Sequence, residues 1–429
     1  MVQLDVGGWR QCCGALSWLP GLCVGGSARL TVQDSSVTHN DAAALVVHDN
    51  AAVVVRGSKL IGNKGLAVPG GVLVMNNASV VIHASTLQHN VATQSSGGAV
   101  EASGRSQLTI TGRTVISSSS CGKVDVGRKM VCVGGGVLVA DNATAFVGGS
   151  TSIHNNSAMV AGGGVAVIDS GRLVVSGRSR VCNNTLRWEE GMGGGLALMD
   201  YAQVTITDNS SVCYNFNPDG WGGGLSVQDH AQLRLANGSM VFGNSCSSEL
   251  SGGGVVLGKD ARLFVNGHCG IYGNYAGQGG GGLAVFDRSQ AVLNGHSFVS
   301  NNTIAKGPGV SILSFAQGGA GAWVAGSASL LLGQSSVVAG NEAKDMSGGG
   351  ILVGASASLV VKGGVEFANN TVGLGYVGAD IAAFDKSSLS IAPGVLSQGE
   401  LLTKCSANVF LGRFPCEVGE DSSAGICQC

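Results

Sequence analysis

The chain has 429 residues, with 24 Lys and Arg against 26 Asp and Glu, a formal net charge of −2 and only 12% charged residues. Basic residues this sparse and scattered exclude a nucleic-acid surface, and no run of 18 apolar residues is present to cross a membrane as a helix. Glycine at 72 positions without a collagen period, and only 6 prolines, point to a regular β structure with an apolar interior.

Residues 1–27 read as an N-terminal cap or leader segment. The apolar patch from Ala15 to Val24 makes a poor secretory signal, because Asp5 sits where basic residues belong and Pro20 interrupts it. A half-repeat from Ala28 to Asn40 leads into the first full copy at residue 42, and copies then fill the chain to about residue 398.

Each copy opens on a glycine run and a β-branched strand, passes a turn, makes a second alternating strand, and closes on an apolar residue three positions before an Asn. The closing pairs include Leu60 and Asn63, Leu87 and Asn90, Ile153 and Asn156, Val181 and Asn184, Val241 and Asn244, and Phe367 and Asn370. From run to Asn the offset is 21 or 22. Repetition at about 30 residues with two or three short strands per copy means a solenoid, in which a unit buries its apolar face only against its neighbours. Strands such as 137–139 are short and β-branched, and no copy has the length at 3.6 spacing that a helix needs. The expected fold is therefore all-β, a right-handed parallel β-helix of about 12 coils over residues 28–398. At ~4.8 Å per coil it would form a rod of about 58 Å. Asn suits an inward corner column because its amide both donates and accepts, and Gly suits the corner where the chain bends sharply.

Length variation concentrates between the ladder Asn and the next glycine run, so one edge is expected to be decorated, and binding is expected there. The longer inserts are residues 120–133 and 303–318. Cys121 and Cys132 near the ends of the first are either a disulfide, worth about 3 kcal/mol, or two unrelated thiols. Cys182 and Cys213 share a column in adjacent coils and are either bridged or stacked thiols. Cys405, Cys416, Cys427 and Cys429 make residues 399–429 a cysteine-rich C-terminal segment whose spacing does not match paired CxxC metal ligands. Cysteine usage favours an oxidising compartment. Eight N-x-S/T triplets, headed by Asn77, Asn142, Asn155, Asn183, Asn209, Asn237, Asn301 and Asn369, agree with an extracellular or cell-surface location. Four of these, Asn155, Asn183, Asn301 and Asn369, precede a ladder Asn and are expected to face outward.

Two constellations could carry chemistry. Asp49, Asp141, Asp169, Asp200, Asp229, Asp287 and Asp385 each lie seven residues after the start of their glycine run. The structural account is a turn former bonding local amides. Like charges ~5 Å apart repel by roughly 0.8 kcal/mol even in water, however, and calcium bridging along Asp141, Asp169, Asp200 and Asp229 would relieve that. The second constellation is on the variable edge, where Trp188, Glu189, Glu190, Asp219 and Trp221 come from two adjacent gaps. Trp188 and Trp221 would offer a platform for a sugar face, and Glu189, Glu190 and Asp219 an acid and base, as glycoside cleavage needs. Exposed aromatics shielding a strand edge are the plainer account. No Ser-His-Asp order, HExxH or phosphate loop leading into a helix is present. His39, His89 and His154 fall near ladder positions and read as structural.

The repeat resembles that of the chlamydial polymorphic outer-membrane proteins, whose units carry GGA[ILV] and FxxN and belong with the pectin-lyase-like β-helices. Residues 97–100, GGAV, match the first motif; Phe298 to Asn301 and Phe367 to Asn370 match the second, while other copies relax Phe to Val, Ile or Leu. The resemblance implies a surface-displayed adhesive passenger. Secreted polysaccharide lyases and hydrolases are similar in fold. The reading that follows is a non-enzymatic extracellular or cell-surface rod for adhesion to polysaccharide, matrix or wall; the alternative is a carbohydrate-active enzyme working on the decorated edge.

Overall fold

A computed structural model describes residues 2–5, 20–122, 132–188, 190–246, 251–305, 318–384, 386–397, 401–404, 408–411 and 426–428. Glu189, Asp385, most of the second insert, and Cys12, Cys13, Cys405, Cys416 and Cys429 lie outside them. Two compact units, residues 1–216 and 217–429, divide the chain, and each is a stack of parallel coils.

A coil contributes four strands, where the repeat pattern had indicated two or three. In one coil of the first unit these are Val165–Val167, Arg172–Val175, Arg180–Cys182 and Thr185–Leu186, which we assign to sheets 1 to 4 in that order. Residues pair with their equivalents in the coils before and after. Val165 lies between Val137 and Leu196, Leu173 between Ala145 and Val204, and Val181 between Ile153 and Val212. The second unit repeats the scheme, with Leu283 between Val255 and Ala322. Counted by the two-residue strands of sheet 4, the described residues make 11 turns, in line with the expected count of about 12 coils. Antiparallel strands close the pairing at the outer strands: Val2–Asp5 on Arg29–Gln33, and Ile426–Gln428 on Leu401–Lys404.

Alternation along sheets 2 and 3 sends Leu173, Val175 and Val181 inward, where they are at most 1% exposed. Each such side chain contributes roughly 1.5–3 kcal/mol by leaving water. Sheet 1 breaks the alternation, since in most of its strands all three residues are buried, as in Val137–Val139. The cause is the path of the chain before the glycine run. Val133, Ala161 and Met192 form parallel bridges with one another and pack over the outward residues Leu138, Ala166 and Ala197. To turn from this covering layer into sheet 1, the first glycine of the run takes a positive φ, 69° at Gly134 and 59° at Gly162, which an L side chain resists.

The corner between sheets 3 and 4 holds the Asn column. Asn156 is fully buried; its Oδ1 accepts from the Ser119 amide at 3.0 Å, and its Nδ2 donates to Ile116 O and Asn184 Oδ1, each at 3.1 Å. The same pattern joins Asn184 to Asn215 in the first unit, and Asn244, Asn274, Asn302, Asn341 and Asn370 in the second. One coil of the first unit lacks the amide: Ser119 stands there, and its hydroxyl receives the Asn90 amide. In the second unit the ladder ends on the buried carboxylate of Asp380, which accepts from Asn370 Nδ2 at 2.9 Å and from the Ser397 hydroxyl at 2.5 Å.

A second buried polar column lies between sheets 2 and 3. Ser58, Ser85, Thr114, Thr151, Ser179 and Ser210 return their hydroxyls to backbone carbonyls or receive the amide of the neighbouring coil. Cys269 occupies this column in the second unit, its thiol aimed at Asn266 O at 3.2 Å.

Asn156→Ala removes the partners of a buried amide and a buried carbonyl. It is expected to cost about 3–5 kcal/mol in guanidinium unfolding, whereas Asn142→Ala on the exposed turn stays within about 0.5 kcal/mol. Cys269→Ser, which restores the hydroxyl of the column, is expected to match or exceed the native midpoint in the same measurement.

Candidate functional site

The turn from sheet 1 to sheet 2 places Asp49, Asp141, Asp169 and Asp200 in the first unit, and Asp229 and Asp287 in the second, each at a φ of 56–61°. Asp tolerates this left-handed conformation better than most residues. Its carboxylate bonds an amide of the neighbouring coil, and not the local amide expected from sequence. Gly26 N donates to Asp49, Gly104 N to Asp141, Asp141 N to Asp169, Asp169 N to Asp200 and Lys259 N to Asp287, at 2.7–3.2 Å. The Gly26 amide, more than any other group, holds the Asp49 carboxyl below its usual range. Asp229 meets Lys259 Nζ at 2.5 Å. Much of the repulsion that calcium would relieve is thus answered by amides and by one ammonium. Among the described residues no three His, Cys, Asp or Glu side chains converge as a metal site.

The residues of the decorated edge fall on both units. In the first, Trp188 is 39% exposed and Glu190 is exposed at φ 61°. In the second, Asp219 is exposed and Trp221 half-buried. The Trp221 ring packs edge-on against Phe286 at 5.7 Å, and Phe286 edge-on against Trp323 at 4.8 Å. Trp221 therefore belongs to an aromatic row over sheet 1, while Trp188 keeps the surface position a sugar platform needs.

A carboxyl that sequence reasoning passed over has the most perturbed environment of any described acid. Glu101 is the outward residue of the sheet 1 strand Val100–Ala102, in register with Leu73 on one side and Leu138 on the other. That column is otherwise apolar or small in the first unit: Val46, Leu73, Leu138, Ala166 and Ala197. Desolvation by this strip raises the Glu101 carboxyl to about 7, and the negative charge of Asp141 adds to the effect. The signal in sequence was a single charge at the middle of a strand whose equivalents are apolar.

Both disulfide alternatives resolve as bridges. Cys121 and Cys132 close the first insert with Cα atoms 5.5 Å apart, and Cys182 and Cys213, register partners on sheet 3, bridge at 4.5 Å. All eight N-x-S/T asparagines are exposed, Asn155, Asn183, Asn301 and Asn369 at the outward corner beside the ladder.

With this geometry in place, comparison with known proteins adds one match. A family model described as a right handed beta helix region covers residues 16–147. The fold is a right-handed parallel β-helix. No curated protein and no solved structure matches the chain.

The Glu101 carboxyl dictates a pH dependence. Raised from an ordinary 4.5 to about 7, it keeps in the folded state a proton that the unfolded chain releases. Its contribution to stability is therefore greatest below about pH 4.5, falls as pH rises towards 7, and levels off above it. Partial exposure limits the loss to on the order of 2 kcal/mol. Glu101→Gln is expected to remove this slope, matching the native protein near pH 4 and exceeding it at pH 8, as chemical denaturation at stepped pH would read.

Proposed function

We propose that the protein is a non-enzymatic β-helix, extracellular or at a cell surface, that adheres to polysaccharide or to matrix and wall components. What carries this reading is the regularity of the interior. The coils flanking Trp188 keep Asn184 and Asn215 buried in the ladder, and the coil that follows Trp221 keeps Asn244. A catalytic cleft ordinarily costs local regularity, because reacting groups must be held in strained or unsatisfied positions. The ladder positions of these coils carry no such cost, since each asparagine stays buried and bonded. The two disulfides and eight exposed N-x-S/T asparagines support an oxidising, secretory environment. The resemblance to chlamydial surface repeats supports adhesion as the use of the stack.

One observation favours the second reading, a carbohydrate-active enzyme. Glu101, on a sheet 1 strand in register with Leu138, keeps its proton up to about 7, as the general acid of glycosidic-bond cleavage must.

Retention of the purified protein on a panel of polysaccharides, with reducing ends assayed on every hit, separates the two. Retention without new reducing ends is the expected result. Release of reducing ends that Glu101→Gln abolishes would replace adhesion by catalysis. The panel is run with and without calcium, because cation bridging along Asp141, Asp169 and Asp200, or at Asp229, would make retention calcium-dependent.

A further inference from the structure

The two outward columns of sheet 3 differ between the units in a way that the fold does not require. In the first unit they hold Ser36 and Thr38, Lys59 and Ile61, Thr86 and Gln88, Val115 and Ser117, Ser152 and His154, Arg180 and Cys182, and Ser211 and Cys213, with no Phe, Tyr or Trp. In the second, three consecutive coils place Met240 and Phe242, Gly270 and Tyr272, and Phe298 and Ser300 at the same positions. Phe242 stacks on Tyr272 with centroids 5.1 Å apart and planes 10° from parallel, and Tyr272 meets Phe298 at 5.8 Å. Phe298 reaches diagonally to Tyr272 because its strand neighbour is Gly270, where a Cβ would run into the Phe298 ring and sit 3.0 Å from the Met240 sulfur. The result is a continuous apolar platform of four half-buried side chains on the outer face of the sheet.

Its rim is polar and carries no carboxylate, ammonium or guanidinium. On one side the exposed His268 and His296 stack at 4.9 Å. On the other lie Ser300, the exposed Asn301 and the bare corners Gly243 and Gly273, the latter with nothing within 4 Å of where a Cβ would be. No Asp, Glu, Lys or Arg occurs within residues 240–246, 270–276 or 298–304.

We propose that this platform is the binding surface for a neutral polysaccharide chain lying across the three coils. The inference rests on the adhesive reading above and gives it a place and a ligand class. The rim offers no Lys or Arg to a uronate or sulfated glycan, while rings bordered by hydroxyl, amide and imidazole groups match the mixed apolar and hydroxylated faces of an uncharged sugar. A peptide adding as a strand is excluded, because the strands 240–242, 270–272 and 298–300 are hydrogen-bonded within the sheet and the middle one has a neighbour on each edge. A second copy of the chain is disfavoured by area. Four side chains of which at most about a third is exposed offer on the order of 200–300 Å², well short of the ~800 Å² per partner of a stable protein interface.

The test replaces the rings with residue types that the first unit carries in the same columns: Phe242→Gln, Tyr272→Ser and Phe298→Ser together. Affinity electrophoresis in soluble mixed-linkage β-glucan, galactomannan and polygalacturonate compares this variant with the native chain and with Trp188→Ala. The expected result is retardation of the native chain and of Trp188→Ala by at least one neutral polymer, weakened tenfold or more in the triple variant, whose melting temperature stays near native. A triple variant that binds as the native chain does overturns the platform while leaving the adhesive reading standing. Retardation by polygalacturonate alone also overturns it. Retention by no polymer sinks both. If the triple variant fails to fold, hydrogen exchange of the native chain with the bound neutral polymer decides. Protection centred on residues 240–244 and 270–274 supports the platform, and protection elsewhere overturns it. Concentration-dependent self-association in sedimentation that Tyr272→Ser abolishes would make the face a contact between copies and overturn the proposal.

Discussion

The hydrogen bonds of one buried amide column set the terms for most of the structure. An unpaired amide in an apolar interior is expensive, so an Asn at the corner between sheets 3 and 4 is stable only if the coils on either side present an acceptor and a donor at the same height. That requirement fixes the register of coil on coil. A slip by one residue would orphan Asn156, Ser119 N and Ile116 O together, and would turn the apolar faces of sheets 2 and 3 outward. The ladder is thus both a source of stability and the device that selects one stacking among many.

The glycine runs follow from the same constraint. A Cβ on Gly164 would sit 2.7 Å from Asn184 Nδ2, and one on Gly282 would sit 2.7 Å from Asn302 Nδ2. The middle position is held to small residues by the sheet 4 backbone, glycine at Gly163 beside Thr185 and at Gly253 beside Tyr275, alanine at Ala320 and Ala379. The third position relaxes to Ala at Ala99, whose coil closes on Ser119 in place of an asparagine, so the larger residue and the smaller ladder member occur together. Sequence varies most at positions that touch neither the ladder nor sheet 4, namely the outward columns and the gap before each run.

This division explains which features were legible in the sequence. The Asn column, the glycine corners and the alternating strands impose residue types at fixed offsets, and they announce the β-helix directly. Sheet 4 was hidden because its strands are two residues long, too short for a period. Its trace is the buried small or apolar residue two places after most ladder asparagines, Ala92, Ala158, Leu186 and Ala276 among them. The hydroxyl column was hidden because Ser and Thr are common in any turn, and only its spacing, two residues before the closing apolar residue, marks it. The Asp column was read as local turn chemistry, yet its carboxylates serve the neighbouring coil, a distinction that a linear sequence does not contain. Candidate site residues were the least legible. Trp188 and Trp221 were grouped by their place in the repeat, whereas packing commits the Trp221 ring to Phe286 and leaves Trp188 on the surface. Glu101 and the Phe242, Tyr272 and Phe298 platform became visible only when residues were compared down a column.

That comparison bears on function. In a stack whose interior is fixed by a ladder, the strand spacing of ~4.8 Å converts any outward column into a row of evenly spaced groups at no cost to the core. A single enzyme site uses this poorly, because it needs a few groups converging on one atom. A surface that must hold an extended polymer uses it well, since each coil adds one more contact in line with the last. The rings of residues 242, 272 and 298 are such a row, interrupted only where Gly270 lets Phe298 cross between columns. The regularity that makes the fold easy to read is therefore also what suits it to a repetitive ligand.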